Sequence, residues 1–429
     1  MDVRVAPHRF DRDLRVPASK SHTIRRLLVA AFADGVSAIR YPLDSLDARS
    51  CLAVCRALGA ELRETAGEGG IERWDLRGLG GPGGIRRPRA PLDVGNSGTS
   101  LFLALALASL GTADITFTGD EQIARRSATP LLDALSALGV TVVSGGNGCV
   151  PITVRGPWRG GAVSIECPTS QYLSALLLAA PLAPADVVTE IDVPLLNERP
   201  YIEMTLAYLD AQRADYKRAD DLSRFVVRGG TTYRPMDGPV SADFSSAAFP
   251  ACAAAVSGGR AVLRGLDPDD SQGDKAFFAM LREAGCKVEW SADAVGGRLV
   301  TVEGEGRLRG GCFDLNDTPD LLPAAAVLAA FAEGETRLVN VAHARIKETD
   351  RIAVMAAELG KLGVDCAELP DGLVIRGGRP PRGGLVDGHG DHRVVMALAV
   401  CGLGARAPVI VTGAEAASVT YPGFLELLG

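Results

Sequence analysis

The stretch LLDALSALGVTVV, residues 131–143, carries apolar positions at helical spacing as far as Gly139 and turns at once into a short strand. A glycine just past the last helical turn supplies the left-handed cap at which the chain reverses. The pattern returns as CLAVCRALGAEL around Gly59, FFAMLREAGCKVEW around Gly285 and VMAAELGKLGVDC around Gly363. A fifth copy, MTLAYLDAQRADY, keeps the helical spacing of Met204, Leu206, Tyr208 and Leu209 but lacks the glycine. The copies lie roughly 70 to 80 residues apart, too far for a solenoid and about right for a βαβαββ unit.

Between these amphipathic helices stand four runs that are apolar nearly all round: LFLALALASLG, QYLSALLLAAPLA, SAAFPACAAAVSGG and LLPAAAVLAAFAEG. Helices of that kind belong inside a fold. Strands such as ADITFTG and TRLVNV follow them. The expectation is an α/β protein with helices buried and sheets spread around them, six units forming two lobes of three. The change of composition at MDGPVSADFSS, residues 236–246, marks the boundary. One lobe is expected to take residues 19–238, and the other residues 1–18 with 239–429.

The chain has 429 residues, 47% of them apolar, and a formal net charge of −7, with a pI near 5.4. With aromatics at 5% and no basic run interleaved with them, nucleic-acid binding is not expected. Nine cysteines without a CxxC pair suggest neither a zinc framework nor a disulfide scaffold, so a reducing cytoplasm is expected. No apolar run reaches the roughly 18 to 20 residues of a membrane span, and no leader peptide is evident. A monomer is the default expectation.

Chemistry is concentrated in a few short segments. In SKSHTIRR, residues 19–26, Lys20, Ser21 and Arg25 bring donors to a helix start, where unpaired N–H groups favour phosphate or carboxylate. A solvated basic turn is the competing reading. GNSGTS, residues 95–100, sets Asn96 and Gly98 before a buried helix, and CPTSQ sets Thr169, Ser170 and Gln171 before another. RIKETDR, residues 345–351, packs Lys347, Glu348 and Arg351 together, with Glu348 and Arg351 expected on one helix face. Asp320 in NDTPD stands at the entrance of a helix too apolar to be exposed, where neighbouring cations could set its pKa. HGDHR offers His389, Asp391, His392 and Arg393. Two histidines three apart lack a third metal ligand nearby, so an anion contact by Arg393 suits the segment better. The chain has no GxGxxG, GxxxxGK[ST] or GxSxG, which argues against dinucleotide, P-loop and hydrolase readings.

Taken together and in order, SKSxxxR, GNSGTS, TGDEQIARR, TSQYLSALL, PYIEMTL, NDTPD, RIKETDR, DHR and TYPGF resemble the 5-enolpyruvylshikimate-3-phosphate (EPSP) synthase family of enolpyruvyl transferases, from about residue 16 to 428. The resemblance implies a two-lobed inverse α/β barrel of βαβαββ units. It implies that Lys20, Asn96, Gly98, Arg126, Gln171, Arg351 and Arg393 bind phosphoenolpyruvate. Ser21, Arg25, Thr169, Ser170, Gln171, Tyr201, Asp320 and Lys347 would hold shikimate 3-phosphate. Asp320 would be the base, with Glu348 and Lys20 as proton donors, and no metal or organic cofactor would be required. The sugar-nucleotide relatives use a loop cysteine as general acid, and TGDEQIARR has none.

Three positions depart from the family pattern. Val419 stands where a lysine is usual, Glu198 where a serine contacts the acceptor's phosphate, and His343 where an asparagine is usual. A carboxylate beside a phosphate is unfavourable unless it points away. The departures leave open a redirected enzyme of the same fold, acting on an unphosphorylated or modified cyclohexene acid, and a catalytically silent binding protein. The residues present favour the ordinary transferase.

Overall fold

The computed structural model describes residues 1–67, 70–292, 297–304 and 306–429. The chain forms two compact units, one of residues 20–240 and one of residues 1–19 with 241–429. Each is built from three sheets around apolar helices.

In the unit of residues 20–240, α1 (Lys20–Phe32), α3 (Gly98–Ala108) and α5 (Ser170–Ala179) are the internal helices, and α2 (Leu46–Leu58), α4 (Thr129–Ala137) and α6 (Arg199–Ala211) the amphipathic ones. Every residue of α3 except Thr99 is buried, and every residue of α5 except Gln171. Removing an aliphatic side chain from water contributes about 1.5–3 kcal/mol, so these sequences have no stable alternative on a surface.

The sheets share one plan. Strand Leu92–Asp93 runs parallel to Ile115–Thr118, which pairs antiparallel with Ile152–Arg155, and that with Thr141–Ser144. Gly161–Cys167, Val188–Leu196, Arg224–Arg228 and Tyr216–Arg218 repeat it. The third sheet draws its parallel edge strand, Asp237–Pro239, from the far end of the unit to lie beside Val36–Arg40.

The second unit repeats the alternation with α7 (Phe244–Ser257), α9 (Leu322–Phe331) and α11 (His392–Gly404) inside, and α8 (Ala276–Glu283) and α10 (Arg351–Lys361) amphipathic. Its first sheet borrows an edge in the same way, Asp11–Arg15 running parallel to Arg260–Arg264. The last sheet differs from the expected unit. It has three strands, with Asp2–Val5 antiparallel to Val409–Thr412. The chain after Thr412 makes a 3-10 turn and the short α12 (Phe424–Leu427) instead of a strand pair.

The glycines that mark the repeat are all at positive φ: 121° at Gly59, 94° at Gly139, 102° at Gly285 and 81° at Gly363. Each N–H bonds back three residues, and the next N–H bonds back five. The copy without glycine closes identically. Arg213 adopts φ 56°, its N–H bonds Asp210 O, and Ala214 N–H bonds Leu209 O. The hydrogen-bond pattern fixes the conformation, and the side chain there bears the strain.

Candidate functional site

The second unit gathers its charged candidates on one arginine. Asp350 caps α10 by accepting from Ala353 N at 3.0 Å, so the helix begins only at Arg351. Glu348 therefore lies in the turn before the helix, not on its face as the spacing suggested. It meets Arg351 all the same, Oε2 accepting from Nη2 at 2.6 Å. Arg351 also donates from Nη1 to Asp320 Oδ1 at 2.8 Å and from Nε to Asp391 Oδ2 at 2.8 Å. Asp320 takes a second cation, Arg393 Nη2 bonding its Oδ2 at 2.8 Å. Asp391 caps α11 through Arg393 N, at 2.9 Å, which fixes where Arg393 leaves the helix.

These contacts set the charges. Burial opposes the Arg351 charge, but Asp391, Glu348 and Asp320 outweigh it and hold the guanidinium more firmly protonated than usual. Burial likewise pushes the Asp320 carboxyl up, while Arg393, Arg351 and Lys347 prevail and hold it well below the ordinary carboxylate range. The Asp320 side chain keeps 19% of its surface exposed and Glu348 13%, against 1% for Arg351, so a ligand can reach both carboxylates. Lys347 acts on it through charge. Nearby Asp274 is buried. Desolvation first, then the Asp320 charge, push it up to about 7.

The unit of residues 20–240 holds its candidates in separate groups. Lys20 begins α1 and pairs with Asp47 at 3.0 Å. One turn on, Arg25 is 2% exposed, with Nε on Thr205 Oγ1 at 2.9 Å and Nη2 on Ser174 Oγ at 3.2 Å and Tyr201 O at 3.3 Å. Burial draws its pKa down to about 10. Its Nη1 reaches Ser21 O, so the structure joins Ser21, Arg25 and Tyr201. Gly98 opens α3 after Ser97, whose hydroxyl accepts from Ser100 N. A Cβ at Gly98 would lie 2.7 Å from Arg126 Nη1 and 3.7 Å from Gln171 Oε1, which places those three together. Among the described residues the buried Gln171 oxygen has no hydrogen-bond partner. Asn96 turns to Asp120 and Gln122 through Nδ2.

The three departures are also placed. The Glu198 carboxylate accepts from Thr169 and Ser170, the start of α5. His343 Nε2 lies 3.1 Å from Asn316 O and must carry the proton, since a carbonyl only accepts. Val419, partly buried, ends a 3-10 turn. Asp47, Asp274, Ser174 and Thr205 were not singled out in the sequence. Asp391 was, without a role, although an aspartate just ahead of an apolar helical run is a readable cap. Among the described residues no group of three or more His, Cys, Asp or Glu is placed to hold a metal ion, and no helix is long and apolar enough to cross a membrane.

The model of the family described as EPSP synthase (3-phosphoshikimate 1-carboxyvinyltransferase) matches residues 5–428. The chain belongs to the EPSP synthase family. Relatives named 3-phosphoshikimate 1-carboxyvinyltransferase include one from Acetivibrio thermocellus, 45% identical across 100% of this chain and 97% of that protein. Another, from Halobacterium salinarum, is 40% identical across 100% of this chain and 98% of its own length. A solved EPSP synthase from Acinetobacter baumannii superposes with a TM-score of 0.82 at 27% identity, covering 99% of this chain and 97% of that one. The inverse α/β arrangement described above is thus the family's fold.

Proposed function

We propose that the chain transfers the enolpyruvyl group of phosphoenolpyruvate to the 5-hydroxyl of shikimate 3-phosphate and releases inorganic phosphate, a step of the shikimate pathway toward aromatic amino acids. Membership of the family over nearly the whole chain supports the reaction. The observation that carries the residue assignment is that Asp320, a carboxylate a ligand can reach, is shared by two buried arginines.

In the mechanism we infer, Arg351 and Arg393, with Lys20, Arg126, Asn96, Gly98 and Gln171, bind phosphoenolpyruvate. Ser21, Arg25, Thr169, Ser170, Gln171, Tyr201 and Lys347 hold the acceptor. Glu348 or Lys20 protonates the methylene carbon of phosphoenolpyruvate, which leaves C2 electrophilic. The acceptor hydroxyl attacks C2 as Asp320 takes its proton. The tetrahedral adduct then returns a methyl proton to the group that donated it, Glu348 or Lys20, and expels phosphate, restoring the double bond. Held by both arginines, Asp320 is a weak base. An incoming carboxylate or phosphate competes for the same guanidiniums, and each donor it takes raises the proton affinity of Asp320. Substrate binding therefore arms the base.

We place the protein in the cytoplasm as a monomer; its nine unpaired cysteines suit a reducing compartment. The test is phosphate release with phosphoenolpyruvate and shikimate 3-phosphate together. Release from either one alone at the same rate, or none from the pair, overturns the proposal.

A further inference from the structure

Glu198 is an acid with 1% of its surface exposed, held in a left-handed backbone conformation at φ 60° and ψ 43°. One of its oxygens, Oε2, collects three donors: Ser170 N at 2.9 Å, Ser170 Oγ at 2.7 Å and Thr169 Oγ1 at 3.2 Å. Two are hydroxyls and one is a backbone N–H of the first turn of α5, where the helix dipole favours negative charge. The buried Arg25 guanidinium also feels the Glu198 charge. The neighbouring Asn197 ties the segment down, its N–H on Cys167 O and its Nδ2 on Pro168 O. This is an anion cradle, and the protein's own carboxylate fills it.

We propose that Glu198 is a specificity-determining gate of the acceptor subsite: its carboxylate occupies the donors at the start of α5, and an anionic ring substituent enters only when that carboxylate swings away. The inference rests on the proposed assignment of Thr169 and Ser170 to the acceptor, beside the position at which family members contact its phosphate. Two anions cannot share three donors, because a buried like charge disfavours both. The backbone at residues 197 and 198 is anchored independently of the carboxylate, by the Asn197 contacts and by Tyr201 N–H on Glu198 O, so the swing need not move it. An acceptor lacking the phosphate need not displace Glu198. The gate thus lowers affinity for the phosphorylated acceptor alone, and so narrows the margin by which the site prefers it.

Calorimetry on the full chain decides, with shikimate 3-phosphate and shikimate as ligands. Glu198→Ser, and Glu198→Gln as the variant that keeps the volume, should bind shikimate 3-phosphate about tenfold tighter or more, the scale of one charge-assisted hydrogen bond regained. Shikimate affinity should move less than about twofold. Ser170→Ala should weaken shikimate 3-phosphate. If Ser170→Ala weakens it and neither Glu198 variant tightens it, Glu198 is only a brace between the segments and the gate is overturned while the subsite stands. If Ser170→Ala changes nothing, the subsite assignment fails and the gate with it.

Discussion

Asp391 bonds the Nε of Arg351 at 2.8 Å, and both side chains are essentially without solvent contact, at 0% and 1% exposed. The same carboxylate caps the helix that carries Arg393. One aspartate therefore sets the position of two arginines from different segments. Removing one partner of a buried pair costs about 3–5 kcal/mol, because the other charge is stranded. Asp391→Ala should lower Tm by several degrees and raise the KM for phosphoenolpyruvate. Thermal unfolding with parallel kinetics checks this, and an unchanged Tm would contradict the bridging role.

Asp320→Asn removes the base while keeping its shape. We expect kcat to fall about 100-fold or more, within the range of general base catalysis. The KM for phosphoenolpyruvate should hold or fall, because an internal competitor for Arg351 and Arg393 has lost its charge. A loss below about tenfold in kcat removes Asp320 from the role of base.

At Gly98 a methyl group would sit 2.7 Å from Arg126 Nη1, closer than atoms approach, and the long arginine would give way before the helix does. Gly98→Ala should raise the KM for phosphoenolpyruvate roughly tenfold, the value of a displaced charge-assisted contact, with Tm nearly unchanged. Steady-state kinetics and a melting curve together report it. A Tm loss with an unaltered KM would place the strain elsewhere.

Two kinds of carboxyl give opposite pH responses. Asp320 and Asp391 titrate below their ordinary value near 3.8 when folded, so they stabilise the fold above that value, and their contribution is lost as pH falls below it. Asp274 titrates at about 7 when folded against 3.8 unfolded, so the folded chain binds the extra proton between those values. Its contribution falls as pH rises through that window. Asp274→Asn should flatten the wild-type decline in Tm between about pH 4 and pH 7. Parallel slopes for the two proteins would show that Asp274 does not titrate there.

Arg213 is the residue at which the repeat keeps its geometry without its glycine. Arg213→Gly should relieve left-handed strain of about 1–2 kcal/mol and give back part of it as added freedom of the unfolded chain, for a net gain near 0.5–1 kcal/mol. A rise in Tm of about 1–4 °C is expected. Denaturant melts provide the check, and a loss of stability would mean that the arginine side chain contributes more than its backbone costs.

Local patterns reported local structure well. The glycines at 59, 139, 285 and 363 and the apolar runs of α3, α5, α7 and α9 were readable because each answers to its own neighbours. The site was harder to read. Asp320 and Arg351 meet across 31 residues of chain, and nothing in either segment states that distance. The helix expected through RIKETDR starts late because Asp350 prefers to cap, a local competition that periodicity does not weigh. The orientation of Glu198 depends on a single left-handed residue, which composition does not announce. The borrowed edge strands are not legible in the sequence because short strands look alike until they are paired.

That borrowing has a consequence for biosynthesis. Strands Asp2–Val5 and Asp11–Arg15 leave the ribosome before segment 20–240, yet their partners Val409–Thr412 and Arg260–Arg264 are made after the whole of it. The nascent chain must therefore carry two unpaired strands while the inserted segment completes its own sheets, and only then can the strands on either side of that segment close on each other. A pause or truncation between residues 240 and 409 would leave a finished inner unit and an orphaned amino-terminal strand, a species open to capture by chaperones.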